Sequence, residues 1–311
     1  MRIGKRTAMK VMAGVLGLVA LAAASWWALI ALEPYDTTPE QMRARYAHGV
    51  STPPLARVTP LGEDSAVHGV DLELQSFDGS LLSGRLLYPG DPAAADKPYP
   101  LLIGLHAMGR SHYRWWRGEH KGGVTLEGTH RITELALRQG YAVLAVDARN
   151  HGVRKDPQRN VLQVMDGLHL WGQREPYEQM IVDTVRDYRL LLDWVQTQPQ
   201  LDGSDVRVAG YSMGAQMALL LGGMDERVGA VLAVVPPHLD NKVAIVAPRN
   251  AVAGLAGKKV WLLSADDDEY ASQAQNHDLF EVLPTADKRH IRFPGGHLLP
   301  VDYTEALGDW F

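Results

Sequence analysis

Four groups of residues in this chain are of types and spacings that could do chemistry together. Ser212 sits between two glycines in Gly210-Tyr211-Ser212-Met213-Gly214. An apolar run, Val206–Ala209, precedes this stretch and a helix-forming run, Ala215–Leu221, follows it. That pattern describes a tight strand-to-helix turn in which glycines let the two elements approach, with the serine hydroxyl at the N-terminus of the new helix. A serine hydroxyl becomes a nucleophile only when an oriented base takes its proton. His297, after Gly295-Gly296, is the candidate base, and Asp266, Asp267 and Asp268 are candidate acids to hold it. Cysteine is absent, which excludes a thiolate nucleophile, thiolate metal sites and disulfides. Asp147-Ala148-Arg149-Asn150-His151-Gly152 is a further polar cluster, read as scaffold that fixes loops near the site. His106, His112 and His151 have no metal-ligand spacing of the H-E-x-x-H kind, so no metal is expected.

The elements that must position these groups alternate along the chain. Val70–Ser76 and Leu81–Tyr88 read as an antiparallel hairpin about the turn 77–80. Strands follow at Leu101–Leu105, Tyr141–Val146, Val206–Tyr211, Val228–Val235, Val260–Ser264 and Ile291–Phe293. Helices are expected at Ile132–Gln139, Tyr177–Gln196, Met213–Leu221, near Ser272–Val282 and near Tyr303–Trp310. Unbroken apolar strands separated by helices imply an α/β class, a mostly parallel sheet covered on both faces. Sites in such sheets lie at the carboxyl ends of the strands, where all of the groups above fall.

Composition bounds the partners. The chain has 311 residues, 46% hydrophobic and 22% charged, with a formal net charge of -5. That is enough for one large core and gives no electrostatic case for nucleic acid. Arg2, Lys5, Arg6 and Lys10 precede Val11–Leu32, 22 residues without a charge, long enough to span a bilayer as a helix. Trp26 and Trp27 lie near its far end, as interfacial rings do. The expected organisation is a cytoplasmic basic start and transmembrane signal anchor over 1–32, a linker and leading segment over 33–65, and a catalytic domain over 66–311. By the positive-inside rule that domain lies outside the cytoplasm. The competing reading is a signal cleaved after Ala22-Ala23-Ala24 and a secreted product. Oligomeric state is not legible.

From about Val70 to Phe311 the chain resembles the α/β-hydrolase superfamily, nearest to its dienelactone-hydrolase-like and prolyl-oligopeptidase-like esterase branch. The elbow around Ser212, the acidic loop, the Gly-Gly-His turn and the D-x-R-x-H-G turn occur in the order the superfamily uses, serine before acid before histidine. The resemblance implies a Ser212, Asp268, His297 triad. Its loop has a small residue leaving the strand and the acid three positions later, so Ala265 points to Asp268, with Asp266 and Asp267 as alternatives. It also implies an oxyanion hole from the N–H groups of Met213 and Met108, the latter in His106-Ala107-Met108-Gly109, which is similar to an HGxG turn with alanine for the first glycine. Dienelactone hydrolase proper uses a cysteine nucleophile, so its lactone chemistry is not carried over. The implied function is hydrolysis of a carboxylic ester or related acyl bond in a small-molecule acyl substrate through an acyl-enzyme, without a metal or organic cofactor, the acyl length being unread. The alternatives are a serine peptidase or amidase and a non-catalytic binding protein of the same fold. Two insertions, Gly109–Gly128 and Val153–Pro176, leave strand ends and should overhang the site; their His112, Tyr113, Trp115, Trp116 and Trp171 are candidates for an aromatic substrate wall.

Overall fold

The computed structural model describes residues 5–49, 56–62, 67–120 and 122–311. Residues 1–4 of the basic start, 50–55 and 63–65 of the expected linker, and residue 66 at the expected domain boundary lie outside them.

Helix α1 (Lys5–Ile30) is followed by α2 (Pro39–Tyr46) and strands β1 (Ala56–Pro60), β2 (Gly69–Gln75), β3 (Leu81–Leu87) and β4 (Tyr99–Leu105). The first insertion carries the two-residue strands β5 (Glu119–His120) and β6 (Gly123–Val124). Then come α3 (Thr129–Arg138), β7 (Ala142–Val146), α4 (Val161–Trp171), α5 (Glu175–Val195), β8 (Leu201–Tyr211), α6 (Met213–Met224) and β9 (Val228–Val234). Strand β10 (Lys259–Ala265), α7 (Gln273–Glu281), β11 (Lys288–Phe293) and a 3₁₀ segment over Tyr303–Trp310 complete the body.

Nine strands form one sheet in the order β1-β2-β3-β7-β4-β8-β9-β10-β11. The six from β7 to β11 run parallel, and β1, β2 and β3 join antiparallel at one side. The unbroken apolar runs have a direct cause. Successive side chains point to opposite faces, and both faces are covered. Along β7, Ala142, Leu144 and Val146 enter one core, while Val143 and Ala145 enter the other. The first core is closed by α2, α5 and α6, the second by α3 and the segment 303–310.

Two elements depart from the expected linker over 33–65. Helix α2 buries Met42 and Tyr46 completely, and β1 pairs with β2 through Ala56↔Leu74 to Pro60↔Val70. An eight-residue helix is too short for apolar periodicity to stand out, since only two of its side chains are buried. The usable signal was Thr38-Pro39-Glu40-Gln41. Thr38 and Gln41 close a capping box, and Pro39 occupies the first turn, where its missing N–H costs nothing.

Helix α1 stands apart from both cores. Met9–Ile30 is long and apolar enough to cross a membrane and contributes no buried residue, while its last turn touches the body through Trp26 on Trp171 and Ile30 beside Gly172. The residues just beyond its end are fixed to the body. The Arg174 guanidinium donates to the Glu33 carbonyl at 2.8 Å, and the Tyr35 hydroxyl donates to Glu178 at 2.6 Å.

Candidate active site

The turn from β8 into α6 holds Ser212 at φ 56°, ψ -119°, a conformation that L residues adopt only under constraint, at a cost of about 1–3 kcal/mol. Backbone bonds enforce it. The Ser212 N–H donates to the Val234 carbonyl at 2.9 Å, and the Ser212 carbonyl accepts from Ala215 and Gln216. The flanking glycines are required by close approach. A Cβ on Gly210 would overlap the Gly214 carbonyl, and one on Gly214 would overlap the Leu105 carbonyl at the end of β4. The elbow is therefore wedged directly against the strand whose following turn carries Met108.

His297 leaves β11 through the turn 294–296, and its Nε2 lies 2.8 Å from the Ser212 Oγ. Its Nδ1 lies 3.0 Å from each carboxylate oxygen of Asp268. An ionised carboxylate only accepts, so the ring proton sits on Nδ1 and Nε2 presents a lone pair to the serine hydroxyl. The Asp268 side chain is 1% exposed and that of His297 11%. Asp268 also accepts from the Tyr270 N–H at 2.8 Å, and the Tyr270 ring stands edge-on to the imidazole at 4.5 Å between centroids. The Tyr211 hydroxyl donates to the His297 carbonyl at 2.9 Å and accepts from the Leu299 N–H at 3.0 Å. Burial pushes that hydroxyl's pKa up to about 12, keeping it a donor.

The other two aspartates are engaged elsewhere. Asp266 pairs with Arg292 at the surface, and Asp267 contributes its backbone N–H to the Gly295 carbonyl at 2.9 Å. Both thereby shape the loop and the turn that carry Asp268 and His297.

Met213 opens α6, so its N–H has no carbonyl one turn back to bond and shares in the positive end of the helix dipole. Met108 lies in the turn closed by Arg110 N–H to the Ala107 carbonyl at 3.2 Å. His106 braces that turn from beneath. Its Nδ1 donates to the Ala107 carbonyl at 2.9 Å, and its Nε2 accepts from Ala148 N–H at 3.0 Å. Burial, helped by the neighbouring His151, lowers the His106 pKa to about 3 and keeps the ring neutral.

The polar cluster after β7 is wired into the body. Asp147 is fully buried and accepts from the His112 N–H, the His112 ring and the Val153 N–H. Burial pushes its pKa up, but the hydrogen bonds and charge of His112 outweigh that and hold it below the ordinary value. Arg149 and Arg154 both pair with Asp187, which is fully buried. Among the described residues, no group of three or more His, Asp or Glu side chains is arranged to hold a metal ion.

Ser212 opens onto a cavity of about 480 Å³ that Met108, Met213, His297 and Tyr270 also border. The five residues expected to wall it are placed elsewhere. His112 is tied to Asp147, and Tyr113 stacks on His112 and His120. Trp115 is completely buried over Gly104 in the second core, with Trp116 packed against that core. Trp171 meets Trp26 of α1 edge-on at 4.8 Å. The rings of both insertions are thus engaged by other parts of the structure instead of standing over the serine. The walls come from Met165, Leu168 and His169 of α4, Tyr177 of α5, Pro237 to Leu239 after β9, and the ion pair of Arg110 with Glu127; of these, all but Arg110 were passed over by sequence reasoning. The Asn160–Gln163 capping box was the available sign that the second insertion is helical.

A model of the dienelactone hydrolase family matches residues 119–296. A curated relative, a polyketide transferase of Aspergillus fumigatus, is 33% identical over 94 residues, 28% of this chain. The chain thus spans about a third of that relative's length, 32%. Among solved structures, acetyl xylan esterase 1 from Thermoanaerobacterium sp. aligns with a TM-score of 0.67 at 15% identity, over 91% of this chain and 96% of that one. An acetyl xylan esterase from Paenibacillus sp. R4 gives 0.62 at 18% identity, over 91% and 97%. A cold-adapted esterase from an Arctic intertidal metagenomic library gives 0.59 at 19%, over 81% and 97%. At these identities the likeness is one of fold, and that fold is the α/β-hydrolase fold.

Proposed function

This chain belongs to the dienelactone hydrolase family, and from that premise we propose that it is a serine esterase acting through Ser212, His297 and Asp268. The observation that carries the reading is the unbroken hydrogen-bonded line from Asp268 through His297 to the Ser212 Oγ, at 3.0 and 2.8 Å. In the proposed reaction the Ser212 Oγ bonds to the ester carbonyl carbon while His297 Nε2 takes the hydroxyl proton. The negative oxygen that develops is held by the N–H groups of Met213 and Met108. The carbonyl re-forms as the bond to the alcohol oxygen breaks, and His297 returns the proton to that leaving oxygen. Water, deprotonated by His297, then releases the carboxylic acid and regenerates Ser212. Asp268 steadies the imidazolium at both stages. Esters are favoured over peptides because the structural neighbours above are named as esterases.

Labelling with a fluorophosphonate probe tests the reading. The folded chain should be labelled and Ser212→Ala should not; equal labelling of both would remove Ser212 as the nucleophile.

We also read α1 as a membrane anchor, with the catalytic body on the non-cytoplasmic side. The support is the basic start Arg2, Lys5, Arg6 and Lys10 before an uncharged run that contributes no buried residue. Sequencing the mature N-terminus decides between anchor and cleaved signal: a chain beginning near Ser25 means cleavage.

A further inference from the structure

A second hollow adjoins the cavity in front of Ser212. This groove, about 240 Å³, shares Leu168, His169, His238 and Leu239 with the catalytic cavity. Its far wall is formed by Trp27, Ile30, Ala31 and Leu32, the last turn of α1 and the residues that leave it. Val243 adds a buried apolar surface between them. The two hollows together extend from Ser212 to the point where the uncharged helix ends, and Leu32, Leu168, Leu239 and Val243 give the groove an apolar wall beside the polar His169, His238, Asp240 and Lys242.

The surroundings of that point are apolar too. Helix α4, which roofs the join through Leu168, turns Leu162, Leu170 and Trp171 outward, all more than half exposed. Trp171 stacks edge-on against Trp26, and the backbone of Gly172 approaches that of Ile30 so closely that no Cβ would fit. The end of α1 is thus held against the rim of the groove. If α1 spans a bilayer, its terminal Trp26 and Trp27 lie at the headgroup level, and the open end of the groove faces the hydrocarbon boundary.

We propose that the substrate is an ester with a long acyl chain resident in the bilayer, whose carbonyl reaches Ser212 while its tail lies in the groove between α4 and the last turn of α1. This rests on the serine-esterase reading above and deepens it by assigning the acyl group. A short acyl group would occupy only the catalytic cavity and leave the groove empty. A long chain moving from the membrane would exchange lipid contacts for those of Leu168, Leu239, Ile30 and Val243 along the apolar side of the groove.

The test uses the full chain in phosphatidylcholine vesicles with p-nitrophenyl acetate and p-nitrophenyl dodecanoate. Wild type should favour dodecanoate in kcat/KM by at least tenfold. Ala31→Trp, at an exposed position on the groove wall, should lower the dodecanoate-to-acetate ratio at least tenfold by filling the path. Ser212→Ala should abolish turnover of both. Ser212-dependent acetate turnover with no preference for dodecanoate would overturn the proposal alone, as would an unchanged ratio in Ala31→Trp. Loss of any Ser212 dependence would overturn the esterase reading, and the proposal with it.

Discussion

In the proposed serine-esterase mechanism, the charge on Asp268 is the contribution most directly calculable from the geometry. Asp268→Asn keeps the size of the side chain and one acceptor oxygen, but removes the negative charge that faces the imidazolium formed when His297 takes the serine proton. The Nδ1 to oxygen distances are 3.0 Å, and the centres of the two charge distributions lie about an ångström further apart. At an effective dielectric of about 20, unit charges 3–4 Å apart attract by about 4–5.5 kcal/mol. Lost from the transition state, that energy corresponds to about 10³–10⁴ in kcat. If the asparagine instead turns its amide N–H toward Nδ1, the ring proton moves to Nε2 and the lone pair facing Ser212 disappears, with a loss of similar size. The assay is p-nitrophenyl acetate turnover by Asp266→Asn, Asp267→Asn and Asp268→Asn in parallel, with circular dichroism to establish folding. Asp266→Asn loses only an exposed pair with Arg292, worth about 0–1 kcal/mol, and Asp267→Asn leaves intact the backbone N–H that holds Gly295. Both should stay within a few-fold of wild type. Retention of activity within tenfold by Asp268→Asn, or an equal loss in either neighbour, would refute the assignment.

Gly214→Ala should lower both stability and kcat, because its Cβ meets backbone at Leu105 and His106 that cannot rotate aside; overpacking of this kind costs about 1–3 kcal/mol, readable as a drop in Tm. Asp187→Ala strips the carboxylate from Arg149 and Arg154, the latter only 5% exposed, and should cost about 3–5 kcal/mol in urea unfolding. His106 gives a pH signature. Its pKa falls from 6.5 in the unfolded chain to about 3 in the folded one, so between these values the unfolded state binds the extra proton and stability rises with pH. Acidifying from pH 7 to pH 5 should therefore remove about 2 kcal/mol through this group alone. Urea midpoints at the two pH values for wild type and His106→Gln check it, the variant being expected to show a correspondingly shallower dependence.

Much of the fold could be read from the chain because its strands announce themselves. Runs such as Leu101–Leu105 and 260–263 are apolar throughout since each strand faces two cores, and helices such as α5 carry a one-sided stripe. The groups around Ser212 were legible for a related reason. Each lies within a few residues of a strand's carboxyl end, so sheet order puts Ser212, Asp268 and His297 at one edge of the sheet, and the loops after β10 and β11 carry the last two across to the serine. Where partners are distant and local pattern is weak, reading failed. Helix α2 and strand β1 are short, and their place depends on a core formed by α5 and on β2. Trp115 looked like a substrate wall because nothing nearby in sequence claims it, while its seat over Gly104 is visible only once β4 is in place. The residues of α4 that line the cavity were hidden in an insertion read as loop.

His297 hangs from β11, the outermost strand on its side of the sheet, and outer strands are the first to loosen in thermal fluctuations. The Tyr211 hydroxyl changes what that loosening does. By gripping both the His297 carbonyl and the Leu299 N–H, it fastens the base's turn to β8, three strands inward and one residue from Ser212. The proposed nucleophile and base then share a single reference point, so a displacement of the edge does not accumulate across β9 and β10 before reaching the gap between Nε2 and Oγ. Alignment of the reacting atoms becomes a property of one interior strand, and fraying of the sheet's rim can proceed without detuning it.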